Sequence, residues 1–255
     1  MPNARLVMSD SPQRDLRLVI VSAGVSDPSS SRLLADRITG KSLELLRESG
    51  TQATASVVEL APLAVEIARA TVSGFPSNQL QAAIERIAGA DALVASTPIY
   101  KAGISGLFKS FIDLLDNDLL VAKPVLLAAT AGTSRHALVI DEQLRPLFGY
   151  MRALVLPTSV FAGPEDWASS ELGERIDRAA TELAVLVEAG VERQIADRAW
   201  SAYQHQFAGN ASRAARTADD LDFDSPLMRL AAGGTAPPSD RQSADGQTAP
   251  GQGRR

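Results

Sequence analysis

The chain has 255 residues, 45% of them hydrophobic, and a formal charge of −5, so it can bury one substantial core but lacks the electrostatic footprint that nucleic acid or an anionic membrane would select. It contains no cysteine and only two histidines, His136 and His205, which excludes disulfides, thiolate catalysis and thiolate metal sites and leaves too few imidazoles for a typical histidine-rich metal centre. No apolar run is long enough to span a bilayer, and residues 1–14 read as a flexible leader without the apolar core of a signal peptide, so a cytoplasmic location is expected.

The first structured element expected is a strand over 16–22, LRLVIVS, whose apolar residues run together as they do in parallel strands buried on both faces. The loop that follows holds Ser26, Ser29, Ser30 and Ser31 before Arg32 and leads into a helix over 33–48. Free amides at a helix N-terminus, short hydroxyl side chains and the positive end of the helix dipole suit a phosphate monoester. Serines there also serve as ordinary N-caps, and both readings stand at this point. No P-loop or Gly-x-Gly-x-x-Gly fingerprint is present.

A second strand over 53–60 is followed by a variable segment through Pro76 and a helix over 78–88. The third strand, over 92–96, is expected to end at the Thr97-Pro98 step, because Pro98 has no amide hydrogen and biases Thr97 toward extended geometry. Beyond the loop, Leu107, Phe108, Phe111, Ile112, Leu114 and Leu115 recur at helical spacing. In open α/β sheets, ligands gather at the carboxyl ends of the strands, and the glycine and exposed amides of the 98–103 loop would permit close approach of a flat ligand. A fourth strand over 124–129 opens into Thr130-Ala131-Gly132-Thr133-Ser134-Arg135-His136, a third loop rich in small hydroxyl residues, and then a helix over 137–150. A fifth strand over 153–160 and a long helix over 170–207 complete a βα alternation. The expected fold is an α/β, flavodoxin-like, doubly wound parallel sheet of five strands, order 2-1-3-4-5, with helices on both faces and the ligand over the first, third and fourth strand ends.

Ser96-Thr97-Pro98-Ile99-Tyr100-Lys101-Ala102-Gly103-Ile104-Ser105-Gly106-Leu107-Phe108-Lys109 resembles the Pro-x-Tyr-Lys-x-x-x-Ser-Gly-x-x-Lys signature of NAD(P)H-dependent FMN reductases in the flavodoxin-like superfamily. The 130–136 loop and Leu144-Arg145-Pro146-Leu147-Phe148 resemble the loop and helix after that family's fourth strand. The ending Val155-Leu156-Pro157-Thr158-Ser159-Val160-Phe161-Ala162, with Glu165-Asp166-Trp167, is most similar to the subgroup partnered with luciferase-like flavin monooxygenases. The resemblance covers 16–167. It implies hydride transfer from NADPH or NADH to N5 of FMN, with the flavin carrying the chemistry and no catalytic side chain or metal required. Pro98, Ile99, Tyr100 and Lys101 would lie along the flavin edge and ribityl chain. Thr130, Gly132, Thr133 and Ser134 would approach the pyrimidine end, while His136, at the start of the next helix, either caps or packs there or donates a hydrogen bond toward the flavin. Ser22, Ser29, Ser30 and Ser31 would hold the phosphate, with Arg32 as the nearby cation. Many relatives carry an arginine early in this loop, where Val25 stands here.

The resemblance also implies a homodimer or homotetramer and a flavin-dependent monooxygenase as partner. A quinone or azo reductase with bound FMN, a non-enzymatic electron carrier of flavodoxin type, and an interaction module without flavin are the alternatives. The reductase domain is expected over 15–209. Residues 210–230 contain Phe223, Leu227, Met228 and Leu230 around Ser225-Pro226 and form a candidate docking segment, on this chain, a sister subunit or the monooxygenase. Residues 231–255, rich in Pro, Gly, Ser and Gln, are expected to be disordered.

Overall fold

The computed structural model describes residues 15–200. The expectations for the leader, the docking segment, the tail and His205 lie outside the described residues.

The chain alternates strands and helices: β1 (Leu16–Ser22), α1 (Ser30–Glu48), β2 (Ala53–Glu59), α2 (Ala64–Ser73), α3 (Asn78–Ala88), β3 (Ala92–Tyr100), β4 (Gly103–Ile104) and α4 (Gly106–Ile112). There follow β5 (Pro124–Thr130), α5 (Arg145–Tyr150), β6 (Leu154–Val155), β7 (Val160–Ala162), α6 (Ser170–Glu188) and α7 (Val191–Ile195). The main sheet runs β2-β1-β3-β5-β6, all parallel, with β7 also on β5 and β4 antiparallel on β3. Counting β6 and β7 as one interrupted strand, this is the expected flavodoxin-like order.

The continuous apolar runs have a structural reason, since successive side chains point to opposite faces and both faces are covered. Val19, Val21, Leu93, Ala95, Val125 and Leu127 join the core beneath α2, α3, α4 and α5. Leu18, Ile20, Ala92, Val94, Leu126 and Ala128 join the core beneath α1 and α6.

Four expectations need correction. The third strand does not end at Thr97-Pro98 but continues to Tyr100. Its pairing with β1 has already stopped at Ser22 opposite Ser96, so the missing amide hydrogen of Pro98 removes no bond to that strand. The fifth strand is broken, because the step from Val155 to Val160 matches only the step from Val125 to Ala128 on β5. Side chains take over at the break: Arg145 donates to the carbonyls of Leu156 (2.9 Å) and Pro157 (3.2 Å), and the amide of Thr158 donates to Glu182 (2.9 Å). The helix expected over 137–150 is a 3-10 turn at Ser134–His136, a π turn at Ile140–Leu144 and only then α5, with Pro146 in its first turn, where a missing amide hydrogen is harmless. The helix expected over 170–207 stops at Glu188, because Gly190 adopts φ 60° and turns the chain into the separate α7. The segment read as variable also contains a helix, α2.

Candidate functional site

The carboxyl ends of β1, β3 and β5 open into a cleft of about 480 Å³, within the size range of small-molecule sites. Its walls are the loop after β1 with the start of α1 (Gly24, Val25, Ser26, Ser29, Ser30, Ser31), the end of β3 (Pro98, Ile99, Tyr100), the end of β5 (Thr130, Ala131, Gly132) and Ala162, Pro164 and Trp167. None of these lining residues is charged. The N-terminus of α1, a helix of 19 residues, brings the positive end of its dipole to one wall of the cleft.

That helix is built for the purpose by local sequence. Ser29 is extended, and its hydroxyl accepts from the amide of Arg32 at 3.2 Å as the N-cap. The amides of Ser30 and Ser31 precede the first intrahelical bond, so helix geometry leaves them free for a ligand. Gly24 lies against Ser29: a Cβ at Gly24 would come within 1.8 Å of Ser29 Oγ and 2.9 Å of Ser29 Cβ. The loop thus requires glycine at this point. Ser31 is buried, and its hydroxyl meets Thr130 Oγ1 at 2.7 Å, which ties the β1 loop to the end of β5. Ser96 Oγ donates to the carbonyl of Ser31 at 2.8 Å, and the amide of Ala23 donates to the carbonyl of Ser96 at 3.0 Å. The third strand therefore sets the position of the helix N-terminus.

At the other wall, Tyr100 pairs with Gly103 and Ile99 with Ile104, leaving Lys101 and Ala102 as a two-residue hairpin loop. Both have positive φ, 51° and 63°, the backbone of a type I′ turn. The left-handed residues are thus a lysine and an alanine, each at a cost of about 1 to 2 kcal/mol. Gly103, which the sequence reading held responsible for close approach, is not among the glycines of positive φ. Tyr100 is half exposed at the cleft.

Of the residues singled out in the sequence, Ser29, Ser30, Ser31, Pro98, Ile99, Tyr100, Thr130 and Gly132 share this cleft. Ser22, Arg32, Lys101, Thr133, Ser134 and His136 are not in its lining. Ser22 is buried below the loop, where its carbonyl accepts from Leu60 at 2.9 Å. Thr133 Oγ1 accepts from the amide of Arg135 at 3.3 Å and caps its own turn. Arg32 pairs with Asp36 at 2.8 Å and with Glu59, and the hydrogen bond it donates to Asp36 raises its pKa above the ordinary guanidinium range, with partial burial opposing and the charges of Asp36 and Glu59 adding to the effect. With its charge already matched by two carboxylates, Arg32→Ala is expected to change FMN affinity less than about threefold, as for an exposed ion pair; titration of FMN fluorescence checks this.

Gly24, Ser96 and Trp167 were missed as site residues. Ser96, a polar residue at the carboxyl end of an apolar strand, was a readable signal. Gly24 and Trp167 gave none, because their roles depend on what stands opposite them.

The strand order is that of a flavodoxin-like α/β fold, with a cleft at the carboxyl ends of its central strands. Residues 16–168 match the family "NADPH-dependent FMN reductase". The chain is 41% identical over 179 residues to the NADH-dependent FMN reductase SfnE of Pseudomonas putida, covering 67% of this chain and 91% of that one. It is 36% identical over 178 residues to an NADPH-dependent FMN reductase of Pseudomonas aeruginosa, covering 67% and 91%. The crystal structure of an oxidoreductase from Corynebacterium diphtheriae superposes with a TM-score of 0.67 at 41% identity, covering 69% of this chain and 98% of that one. The chain belongs to the NADPH-dependent FMN reductase family.

The donor set suits FMN: free amides and hydroxyls at a helix N-terminus for a phosphate monoester, and an uncharged wall of backbone and an aromatic ring for a flat heterocycle.

Proposed function

We propose that this chain catalyses reduction of FMN by NADH or NADPH and supplies the reduced flavin to a flavin-dependent monooxygenase. The observation that carries the reading is the uncharged cleft with the α1 N-terminus at one wall and the β3–β4 hairpin at the other. When bound, FMN supplies the redox chemistry by accepting hydride from the nicotinamide at N5. The protein's work is then to bind and orient. Ser30 and Ser31 amides with the Ser26 and Ser30 hydroxyls hold the phosphate, while Pro98, Ile99 and Tyr100 line the ring and ribityl chain. Thr130 and Gly132 border the pyrimidine end, and Lys101, Thr133, Ser134 and His136 act from the rim. Ser22 and Ser29 shape the loop from below and within. The flavin carries the chemistry in this assignment, which gives no side chain an acid or base role.

Names of similar proteins specify NADH in one case and NADPH in another, so both nucleotides belong in the test. Mixing the protein with FMN and saturating NADH or NADPH under anaerobic conditions is expected to bleach the flavin absorbance over repeated turnovers, with FMN preferred to riboflavin. No bleaching with either nucleotide would overturn the proposal. Turnover of a quinone or azo compound with a retained flavin, and none with free FMN, would move it to the quinone or azo reductase alternative.

The monooxygenase partner rests on the resemblance of the 155–167 segment. A homodimer or homotetramer is supported by the exposed apolar side chains Val65 and Val72 of α2 and nearby Phe75. Light scattering of the purified chain tests the assembly, and a monomer at micromolar concentration would refute it. Among the described residues, no helix is long and apolar enough to cross a membrane.

A further inference from the structure

We infer that Gln143 is a positioning residue for the flavin hairpin, holding the left-handed Lys101-Ala102 turn so that Pro98, Ile99 and Tyr100 present a preformed wall to the ring. The inference rests on the cleft being the FMN site.

The turn is intrinsically poor. Type I′ hairpins favour Asn-Gly or Gly-Gly at their two central positions, because both need φ > 0. Here those positions carry Lys101 and Ala102 at 51° and 63°. A strained local conformation persists only where the surroundings over-determine it. Two bonds from one side chain do so here. Gln143 Oε1 accepts from the amide of Ile104 at 3.1 Å, and Gln143 Nε2 donates to the carbonyl of Ala102 at 3.2 Å. The amide thus grips one backbone donor and one backbone acceptor on the returning side of the turn.

The anchor is itself held. Gln143 sits in the π turn Ile140–Leu144, whose buried Ile140 and Leu144 pack into the sheet core. Two residues on, Arg145 binds the carbonyls of Leu156 and Pro157 at the break in the last strand. One short segment therefore ties the hairpin to the far edge of the sheet. Only an amide satisfies both partners of Gln143: a glutamate in its place could accept from Ile104 but would set a carboxylate oxygen against the Ala102 carbonyl.

The test uses the full chain and FMN itself. Gln143→Ala is expected to raise the FMN Kd, measured by fluorescence quenching, about tenfold, in line with the loss of two neutral hydrogen bonds. Hydrogen exchange of the Ile104 amide should accelerate while exchange in β1 and β5 does not, and kcat at saturating FMN should stay within about threefold, so that KM carries the defect. Gln143→Glu should not rescue. Ala102→Gly placed on Gln143→Ala should recover at least half of the lost affinity on a logarithmic scale, because glycine takes the left-handed conformation without steric penalty. An unchanged FMN Kd, faster exchange throughout the sheet, or no recovery by Ala102→Gly would each overturn the inference. If the wild-type chain binds no FMN, the site reading fails instead, and Ile104 exchange then reports on the clamp alone.

Discussion

Gly24→Ala is expected to weaken FMN binding by about tenfold to a hundredfold while leaving riboflavin affinity nearly unchanged. The new Cβ would lie 1.8 Å from Ser29 Oγ and 2.9 Å from Ser29 Cβ, a separation that no rotation of the hydroxyl alone relieves. Ser29 must move. Its movement removes the cap on Arg32 N, worth about 1 kcal/mol, and displaces the neighbouring amides of Ser30 and Ser31 from the phosphate position. Each charge-assisted bond lost to the phosphate contributes roughly 1.5 to 3 kcal/mol, and 1.4 kcal/mol is about a tenfold change. Riboflavin has no phosphate and should not register the change. Isothermal titration with both flavins decides the matter: an equal loss for both would mean the loop supports the ring instead, and no loss for FMN would remove the phosphate from this loop.

The largest expected effect on stability lies at the opposite end of the sheet. Lys123, at the entry to β5, is fully buried, and its ammonium pairs with Glu192 of α7 at 3.1 Å while donating to the carbonyl of Ala90 and, at 3.4 Å, to that of Ala88. Glu192→Ala removes a countercharge from an ammonium that solvent does not reach. A loss of about 3 to 5 kcal/mol of unfolding free energy is expected, since stranding one partner of a buried pair costs far more than the pair contributes net. Lys123→Met combined with Glu192→Leu should recover most of it, because both desolvated charges disappear together. Denaturant unfolding of the three proteins is the measurement. A Glu192→Ala loss below about 1 kcal/mol would show that the other contacts of the ammonium accommodate it.

Much of this architecture was legible in the residues. Strands buried on both faces announce themselves as unbroken apolar runs, as in LRLVIVS and PVLLAA, and the helices that cover them show apolar spacing such as Phe108, Phe111 and Ile112. The loops at the carboxyl ends of β1, β3 and β5 were readable as a ligand site because that position in a doubly wound sheet is fixed by topology. Breaks inside elements were less legible. Gly190 was a visible stop signal in an amphipathic pattern, yet periodicity on both sides concealed it. Pro98 was a visible stop signal that the fold overrode, because pairing with β1 had already stopped while β5 still ran alongside.

The sequence by itself determined the order of elements, the two faces of the core and the set of polar loops brought to one edge, since these follow from local periodicity and chain connectivity. Only the tertiary structure decided which hydroxyls face the cleft. Ser31 turns to Thr130, Thr133 caps its own turn, and Arg32 is neutralised by Asp36 and Glu59. It also decided that Gly24 must remain a glycine and that Gln143 reaches the hairpin 41 residues from Ala102. These are contacts between segments distant in the chain, and no local pattern encodes a partner that approaches only after the sheet has formed.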